Sequence, residues 1–323
     1  MGDLKKYDVV ALGELLIDFT LNGNSSQGNP LLEANPGGAP CNVLSMLCKL
    51  GKNTAFIGKV GDDQFGRQLK TTIEDCGIDS SYLLMDKDVH TTLAFVHTFA
   101  DGDREFSFYR NPGADMMLQA GEVPVDILGD TTIFHFGTLS MTHEDVRKAT
   151  VAAVEVAKKN GAIVSLDPNL REPLWDNLDN AKEQMKKAIS CCDILKISDN
   201  EIQFLTGEED YDEGIRKLRS MYNIPLIALT MGKDGSRAYY KDYRVEVSGF
   251  TQDNVVDTTG AGDTFCGCML GYICDHGLDN LSEDNLKEML TFANAAASLV
   301  TTKKGAIRSM PDVEDINALI NGR

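Results

Sequence analysis

The segment with the clearest chemical meaning is VDTTGAGDTF at residues 256–265, where small residues lead into the apolar stretch CGCMLGYICDHG. Small residues let the backbone come close to a ligand. The first N–H groups of a helix are unpaired donors, supported by the positive end of the helix dipole. The amides of Gly260, Ala261 and Gly262 are therefore candidates for an anion hole, and Asp263 follows them in the first helical turn.

Asp263 is the candidate catalytic base of this segment. A carboxylate beside a bound phosphoryl group is repelled by it unless it has a chemical task, such as accepting a hydroxyl proton while that oxygen attacks phosphorus. The alternative is structural, with Thr259 or Asp263 simply capping the helix. These residues alone leave both interpretations open.

Other phosphate-binding motifs are absent from the sequence. Gly260-x-Gly262 has Phe265 where a dinucleotide fingerprint needs a third glycine, and no GxxxxGK[ST] occurs. The HRD and DFG signatures of protein kinases are also missing. These absences argue against a dinucleotide-dependent oxidoreductase, a P-loop enzyme and a protein kinase.

The elements that must position these residues alternate along the chain. The apolar run DVVALG is followed by the helix-like PCNVLSMLCKLG, and the same order returns in TAFIGKV with QFGRQLKTTIEDCG, TTIFHFG with THEDVRKATVAAVEVAKKNG, and AIVSLDP with NAKEQMKKAIS. This alternation predicts an α/β fold with a doubly wound, mainly parallel sheet and helices on both faces. Ligands then bind at the carboxyl ends of the strands.

One segment departs from this alternation. The sequence TTLAFVHTFADGDREFSFYRN predicts two strands joined around Asp101-Gly102, with no helix after them. Residues 15–35 are similarly poor in helix signals. We therefore predict a single domain over residues 1–323, in which strands from about 15–35 and 91–111 form a small β subdomain that acts as a lid.

The composition restricts the classes of partner. The chain has 323 residues, 42% of them hydrophobic, and a formal net charge of −18. This suits a globular protein and disfavours binding to nucleic acid or to an anionic membrane. Because no apolar run is long enough to span a bilayer and no signal-peptide pattern is present, we expect a cytosolic protein. The eight cysteines lack the spacing of a zinc site, so buried free thiols are the expectation.

The motifs together resemble those of the ribokinase-like (PfkB) sugar kinases. DTTGAGDTF is similar to the C-terminal signature of that family, GGAPCN at 37–42 resembles its N-terminal GG-x-x-x-N element, and Gly13-Glu14 with Asp18 resembles its G-E-x-x-x-D strand end. GDDQFG also matches, and the resemblance extends from about residue 8 to residue 312. It implies an ATP-dependent sugar kinase with Asp263 as the base.

The resemblance implies roles for further residues. Those implied to bind the sugar are Asp18, Gly37, Gly38, Asn42, Arg110 and Arg171. Those implied to line the nucleotide site are Thr230, Gly232, Gly235 and Asn294. A monovalent cation, K⁺, is implied behind the anion hole at Asp257, the Thr259 carbonyl, Gly305 and Ser309. The alternatives are a helix cap for Asn42, core packing for Asn294 and a solvated surface position for Arg110.

The implied magnesium site differs from the family pattern. The family often carries N-x-x-E, whereas this chain has Ser198-Asp199-Asn200-Glu201. Glu201 is implied to bind Mg²⁺ through water, since this ion keeps much of its hydration shell. The role of Ser198 stays open.

The expected sugar follows from three segments. GGAP, DPNLR with the following LW, and YRNPGAD resemble the fructokinase branch, which implies phosphorylation of D-fructose to fructose 6-phosphate. The alternatives are a 2-keto-3-deoxygluconate kinase, which shares a similar D-x-N-x-R-x-x-LW segment, another sugar kinase of the family, or a non-catalytic sugar-binding regulator on the same fold. Resemblance to dimeric members implies a homodimer formed through the lid.

Overall fold

A computed structural model of the protein describes residues 5–98 and 104–322. Its strands are β1 (Tyr7–Leu12), β2 (Leu16–Asn24), β3 (Pro30–Gly37), β4 (Thr54–Gly61), β5 (Leu83–Asp86), β6 (Leu93–Thr98), β7 (Arg104–Tyr109), β8 (Thr131–Gly137), β9 (Ile163–Asp167), β10 (Ile194–Ser198), β11 (Leu226–Thr230), β12 (Ser236–Tyr240) and β13 (Tyr243–Val247). Its α-helices are α1 (Ala39–Lys49), α2 (Gln64–Asp75), α3 (Val125–Gly129), α4 (Glu144–Lys159), α5 (Leu178–Ile189), α6 (Asp199–Thr206), α7 (Tyr211–Met221), α8 (Ala261–His276), α9 (Glu283–Val300) and α10 (Val313–Asn321).

The larger sheet has the strand order β13-β12-β11-β10-β9-β8-β1-β4-β5. The strands from β11 to β5 pair in parallel, and β12 and β13 add an antiparallel edge. β4 and β5 lie on one side of β1, and the later strands β8 to β13 lie on the other, so the order of the strands reverses at β1. Such a switch point opens a crevice at the carboxyl ends of the strands. The predicted doubly wound, mainly parallel fold is confirmed.

Two hydrophobic cores cover the two faces of this sheet. In β1, Val9 and Ala11 pack into one core, while Val10 and Leu12 pack into the other. Successive side chains of a strand point to opposite faces, so a strand that is covered on both sides must be apolar throughout. This explains why the run at β1 lacks the alternation of a half-exposed strand.

The smaller sheet has the order β3-β2-β6-β7. Its two central strands, β2 and β6, pair in parallel, and the edge strands β3 and β7 pair with them in antiparallel orientation. Its strands come from both segments that the sequence assigned to a lid, while the expected Asp101-Gly102 turn lies outside the described residues. The rings of Phe19 and Phe95 stack at 5.0 Å, and Phe65 of α2 meets Phe19 edge to face at 5.6 Å. These aromatic contacts join the small sheet to the rest of the molecule.

Helices α1 and α8 approach each other closely because α8 presents glycines to α1. A Cβ atom on Gly267 would lie 2.8 Å from the Cβ of Met46 and 2.9 Å from the carbonyl oxygen of Val43. These are the helices that carry Asn42 and Asp263. Their relative position is therefore fixed by close packing that a larger side chain would disturb.

The remaining expectations concern cysteines and membranes. All eight cysteines are free thiols, and Cys41, Cys192, Cys266 and Cys268 are buried. The other four are half-buried, so full burial holds for only part of the set. In the described part of the chain, no helix is long and apolar enough to cross a bilayer.

Candidate active site

A cavity of about 410 Å³ lies between the two sheets, at the carboxyl ends of the central strands. We call it the central cavity. Its lining comes from the segments after β1, β8 and β9, from β2, β7 and β10, and from the first turns of α1 and α8. The lining residues are Glu14, Leu16, Asp18, Gly38, Ala39, Asn42, Phe108, Leu139, Asn169, Arg171, Lys196, Thr258, Thr259, Gly260, Gly262 and Asp263.

The N-terminus of α8 forms one wall of the central cavity. Gly260 precedes the helix with φ 79°, and no side chain in the described structure caps this end. A Cβ on Gly260 would lie 2.5 Å from that of Ala306, so both the conformation and the space require glycine. The expectation that Thr259 or Asp263 merely caps the helix does not fit. The uncapped end instead suits binding of an anion.

Asp263 is buried at this wall, with 9% of its surface exposed. The amide nitrogen of Asn42 donates a hydrogen bond of 2.7 Å to its Oδ2. Burial raises the pKa of Asp263, while the bond from Asn42 and the charges of Lys196 and Arg171 lower it. The carboxylate is therefore oriented, and cationic neighbours favour the ionised form that a base needs.

Asp18 faces the same cavity from β2. Burial raises its pKa to about 7, and the charge of Arg171 opposes this shift. Gly37 is not part of the lining, but a Cβ there would collide with Oδ2 of Asp18, so this glycine makes room for the carboxylate. Gly38 has φ 129°, and a Cβ on it would collide with the carbonyl oxygen of Glu14.

Arg110, like Gly37, is a predicted sugar residue outside the lining of the central cavity. It is buried, and its Nε donates to Asp115 Oδ2 at 2.8 Å. Its Nη1 donates to Thr142 Oγ1 at 2.9 Å, and its Nη2 to the Leu139 carbonyl at 3.2 Å. These bonds join the end of β7 to the segment after β8. They do not support the expected contact with sugar, and the alternative of a solvated arginine is wrong.

Lys196 lines the cavity although the sequence analysis did not select it. It is 6% exposed on β10, and its Nζ lies 3.1 Å from Asp167 Oδ2. A Cβ on Gly262 would lie 3.0 Å from this Nζ, so the ammonium lies against the first turn of α8. Burial alone lowers the pKa of Lys196, but the carboxylates of Asp167, Glu201 and Asp263 raise it above its ordinary value.

Glu14 and Asn169 are two further lining residues that sequence reasoning left without a role. Glu14 is the second residue after β1, and its Oε1 accepts a hydrogen bond of 2.9 Å from the amide of Ala39. Burial raises its pKa to about 7. Asn169 has φ 48°, a left-handed conformation that asparagine tolerates better than most residues. An acid and an asparagine at strand ends were the signals available in the sequence.

Glu201 lies behind the central cavity rather than in its lining. Its Oε2 accepts from the amide of Ser198 at 2.8 Å and from the Ser198 hydroxyl at 2.9 Å. Its Oε1 accepts from the amide of Leu170 at 2.8 Å. Ser198 thus caps α6 in a reciprocal capping box, which gives the departure from N-x-x-E a structural explanation. With both oxygens bonded, contact with a hydrated cation fits Glu201 better than direct ligation does.

A second cavity of about 440 Å³, the side cavity, adjoins the first at the start of α8. Thr258 lines both cavities, and the side cavity also includes Ala261, Gly232 and Asn294. Asn294 is buried and donates a hydrogen bond of 3.1 Å to the carbonyl of Val247. Two ligands in these cavities would meet at the first turn of α8, as transfer of a group between them requires.

Two of the predicted nucleotide residues lie outside the lining of the side cavity. Gly235 has φ 106°, and a Cβ there would collide with the carbonyl oxygen of Val247. Thr230 ends β11, and its hydroxyl lies 3.5 Å from the carbonyl oxygen of Ile197. Both therefore shape the turn that carries Gly232.

The residues expected at a monovalent cation come from two neighbouring loops. Asp257 Oδ1 accepts from the amide of Thr259 at 2.9 Å and from its hydroxyl at 2.7 Å, and Asp257 Oδ2 accepts from the amide of Gly305 at 3.1 Å. The Ser309 hydroxyl donates to the carbonyl of Lys304 at 2.6 Å. Asp257 thus joins the loop before α8 to the loop after α9. Carboxylate, carbonyl and hydroxyl oxygens are suitable ligands for K⁺.

The chain is similar to known proteins over nearly its whole length. The model of the pfkB family carbohydrate kinases matches residues 6–313. Fructokinase-2 of Solanum habrochaites is 42% identical over 316 residues, which cover 97% of this chain and 96% of that protein. The crystal structure of fructokinase with bound ATP from Xylella fastidiosa has a TM-score of 0.89 at 30% identity and covers 98% of this chain and 99% of its own. A fructokinase double mutant from Vibrio cholerae O395, in a form with fructose, ADP and potassium ion bound, has a TM-score of 0.86 at 30% identity, with coverage of 98% and 99%.

Proposed function

The chain belongs to the pfkB family of carbohydrate kinases, and we propose that it is a fructokinase that transfers the γ-phosphoryl group of ATP to O6 of D-fructose. The observation that carries the proposal is the position of Asp263, bonded to Asn42 in the wall of the central cavity where the side cavity adjoins it. Fructose as the sugar is supported by the fructokinases that resemble the chain over nearly its whole length.

In the proposed reaction, fructose lies in the central cavity beside Asp18, Asn42 and Arg171. Carboxylate, amide and guanidinium groups supply the directional acceptors and donors that sugar hydroxyls need. Asp263 accepts the proton of O6 as this oxygen forms a bond to phosphorus. The bond between phosphorus and the bridging oxygen of ATP breaks, and ADP leaves with that electron pair.

The phosphate chain of ATP lies, in this proposal, along the first turn of α8. The adenosine part occupies the side cavity near Gly232 and Asn294, with Thr230 and Gly235 supporting that turn. The amides of Gly260, Ala261 and Gly262 then donate to phosphate oxygens whose charge changes during transfer. Such fixed donors stabilise the transition state more than water does, because they need no reorganisation.

Two cations complete the proposal. Mg²⁺, when bound, neutralises charge on the phosphates, and Glu201 would hold it through water because both carboxylate oxygens already accept hydrogen bonds. K⁺ would be held by Asp257, the Thr259 carbonyl, Gly305 and Ser309, and it would keep the anion hole in position.

We propose that residues 1–323 form one kinase domain with the small sheet as its lid, and that two copies associate through this sheet. Support for association comes from the exposed apolar side chains of Leu21, Leu31, Leu32 and Tyr109. Light scattering of the wild type and of Leu32→Glu would test it, because a buried charge should dissociate the pair.

A cytosolic location agrees with eight free cysteines, and cell fractionation tests it.

The function is tested by ATP consumption with fructose, 2-keto-3-deoxygluconate, ribose, adenosine and no sugar, with Mg²⁺ and K⁺ present. We expect fructose to have the highest kcat/KM, and NMR of the product to show phosphate on C6. Preference for the acidic sugar would make Arg171 a carboxylate-binding residue and contradict fructose. Sugar binding without ATP consumption would instead identify a non-catalytic regulator.

A further inference from the structure

The central cavity is rich in acidic groups for a place that must receive a phosphoryl group. Glu14, Asp18 and Asp263 line it, and among the described lining residues the cations are Arg171 and Lys196. An anion brought next to Asp263 is repelled by it, and a cation close to both offsets this repulsion. A cation of the lining that lies next to the anion hole could therefore stabilise the phosphoryl group during transfer.

Lys196 holds that position. Its Nζ is 3.1 Å and 3.3 Å from the two oxygens of Asp167, and a Cβ on Gly262 would lie 3.0 Å from it. An ammonium group has three N–H donors. In the described structure the hydrogen bond of Lys196 goes to Asp167, which leaves donors for a ligand in the cavity.

We propose that Lys196 is a catalytic residue whose ammonium group donates to the phosphoryl group during transfer, and that Asp167 is the positioning residue that holds it against Gly262. This inference rests on the proposed kinase function. Asp167 orients the ammonium towards the α8 terminus, where the phosphate would bind. A cation fixed there stabilises the charge spread over the phosphoryl oxygens in the transition state.

The competing explanation is mutual neutralisation of two buried charges. Removing one partner of a buried pair destabilises a fold, whereas replacing both by uncharged groups is often neutral. Lys196→Met with Asp167→Asn therefore separates the two roles. If the pair serves the fold alone, the double variant recovers both stability and turnover. If Lys196 binds the phosphoryl group, the double variant recovers stability but not turnover.

The variants Lys196→Met, Lys196→Arg and the double variant are compared with the wild type by steady-state kinetics and thermal melting. We expect kcat of Lys196→Met to fall about 10²- to 10³-fold, the effect of removing one donor from a preorganised anion site. The KM for fructose should change little, because Lys196 acts on phosphate rather than on sugar. Arginine should restore part of kcat, since it keeps the charge but not the geometry.

A binding measurement separates catalysis from folding. Calorimetry is performed with ADP and Mg²⁺ in the presence of fructose, with and without aluminium fluoride, which mimics the transferring phosphoryl group. The wild type should bind the fluoride complex more tightly than ADP alone. Lys196→Met should bind ADP like the wild type but lose this additional affinity.

Lys59→Met is the matched control. Lys59 is also a buried lysine of the large sheet, on β4, with its Nζ 2.7 Å from Glu122 and 3.8 Å from Asp86. It lies outside the central cavity lining. Its loss should lower the melting temperature and leave kcat unchanged.

Near-normal turnover in Lys196→Met or in the double variant would overturn the role of Lys196. If Lys196→Met still binds ADP more tightly with aluminium fluoride than without it, the role of Lys196 is overturned as well. These results differ from failure of the proposed function, in which the wild type would not phosphorylate fructose. A wild type that phosphorylates none of the sugars would make both the kinase proposal and the role of Lys196 wrong.

Discussion

Two buried ion pairs of this molecule are built differently. Directly after β7 of the small sheet, Arg110 donates hydrogen bonds to Asp115, Thr142 and the Leu139 carbonyl. Asp115 also accepts a hydrogen bond from Thr92. At the wall of the central cavity, Lys196 is bonded to Asp167. The Oδ2 of Asp167 lies 3.1 Å from Nζ but lacks the alignment of a hydrogen bond in the described structure.

The difference separates structural from functional burial of charge. All three guanidinium nitrogens of Arg110 donate hydrogen bonds to the protein, which offsets the desolvation of the pair. Incomplete bonding costs stability, and at Lys196 it leaves N–H donors for the phosphoryl group that we propose binds there. We therefore expect substitutions near Arg110 to affect folding and those around the cavity to affect turnover.

The largest expected effect is that of Asp263→Asn. Asparagine cannot accept the proton, so kcat should fall about 10²- to 10⁴-fold, the usual contribution of a general base. Stability should not fall, because burial disfavours the charged carboxylate. Turnover and ADP affinity are the measurements, and a variant with wild-type kcat would remove Asp263 as the base.

Arg110→Met tests the other side of the comparison. It leaves Asp115 buried without its cation, so the free energy of unfolding should fall by about 3–5 kcal/mol. The kcat of the folded protein should stay near that of the wild type, because Arg110 is absent from the cavity lining. Urea unfolding and kinetics are the measurements. A large loss of kcat with unchanged stability would show that the arginine acts on substrate.

Asn42→Ala should change the pH dependence of turnover. Asn42 stabilises the ionised form of Asp263 by its hydrogen bond, so its loss raises the pKa of Asp263. Because the base must be ionised, the acidic limb of the kcat profile should move to higher pH. Ser45→Ala, on the same helix but bonded to the Ile307 carbonyl, is the control and should leave the limb in place.

Asp18→Asn should change the pH dependence of stability. Burial raises the folded-state pKa of Asp18 from 3.8 to about 7. Its proton therefore stabilises the folded wild type below about pH 4, and this contribution is lost as the pH rises to about 7. Relative to the wild type, the variant should gain stability as the pH rises across this range, because it carries no charge to bury. If the free energies of unfolding of the two proteins change equally with pH, the raised pKa of Asp18 is contradicted.

The sequence predicted the fold and the start of α8 because both depend on local signals. Strand and helix periods predicted the sheet, and glycines before an apolar helix predicted the α8 terminus. Lys196 and Asp167 are 29 residues apart in sequence, and their pairing depends on adjacent strands. The bond between Arg110 and Thr142 could not be predicted, because 32 residues separate the two in sequence.

The contact of Gly267 with α1 has a consequence for engineering this protein. Replacing glycine by alanine within a helix is a common route to heat resistance, worth about 1 kcal/mol at an exposed position. Here the added methyl would press on Met46 and the Val43 carbonyl, and so move α1 away from α8. The displacement would lengthen the 2.7 Å bond between Asn42 and Asp263. This overpacking would also cost stability, so Gly267 is a poor position for such a substitution.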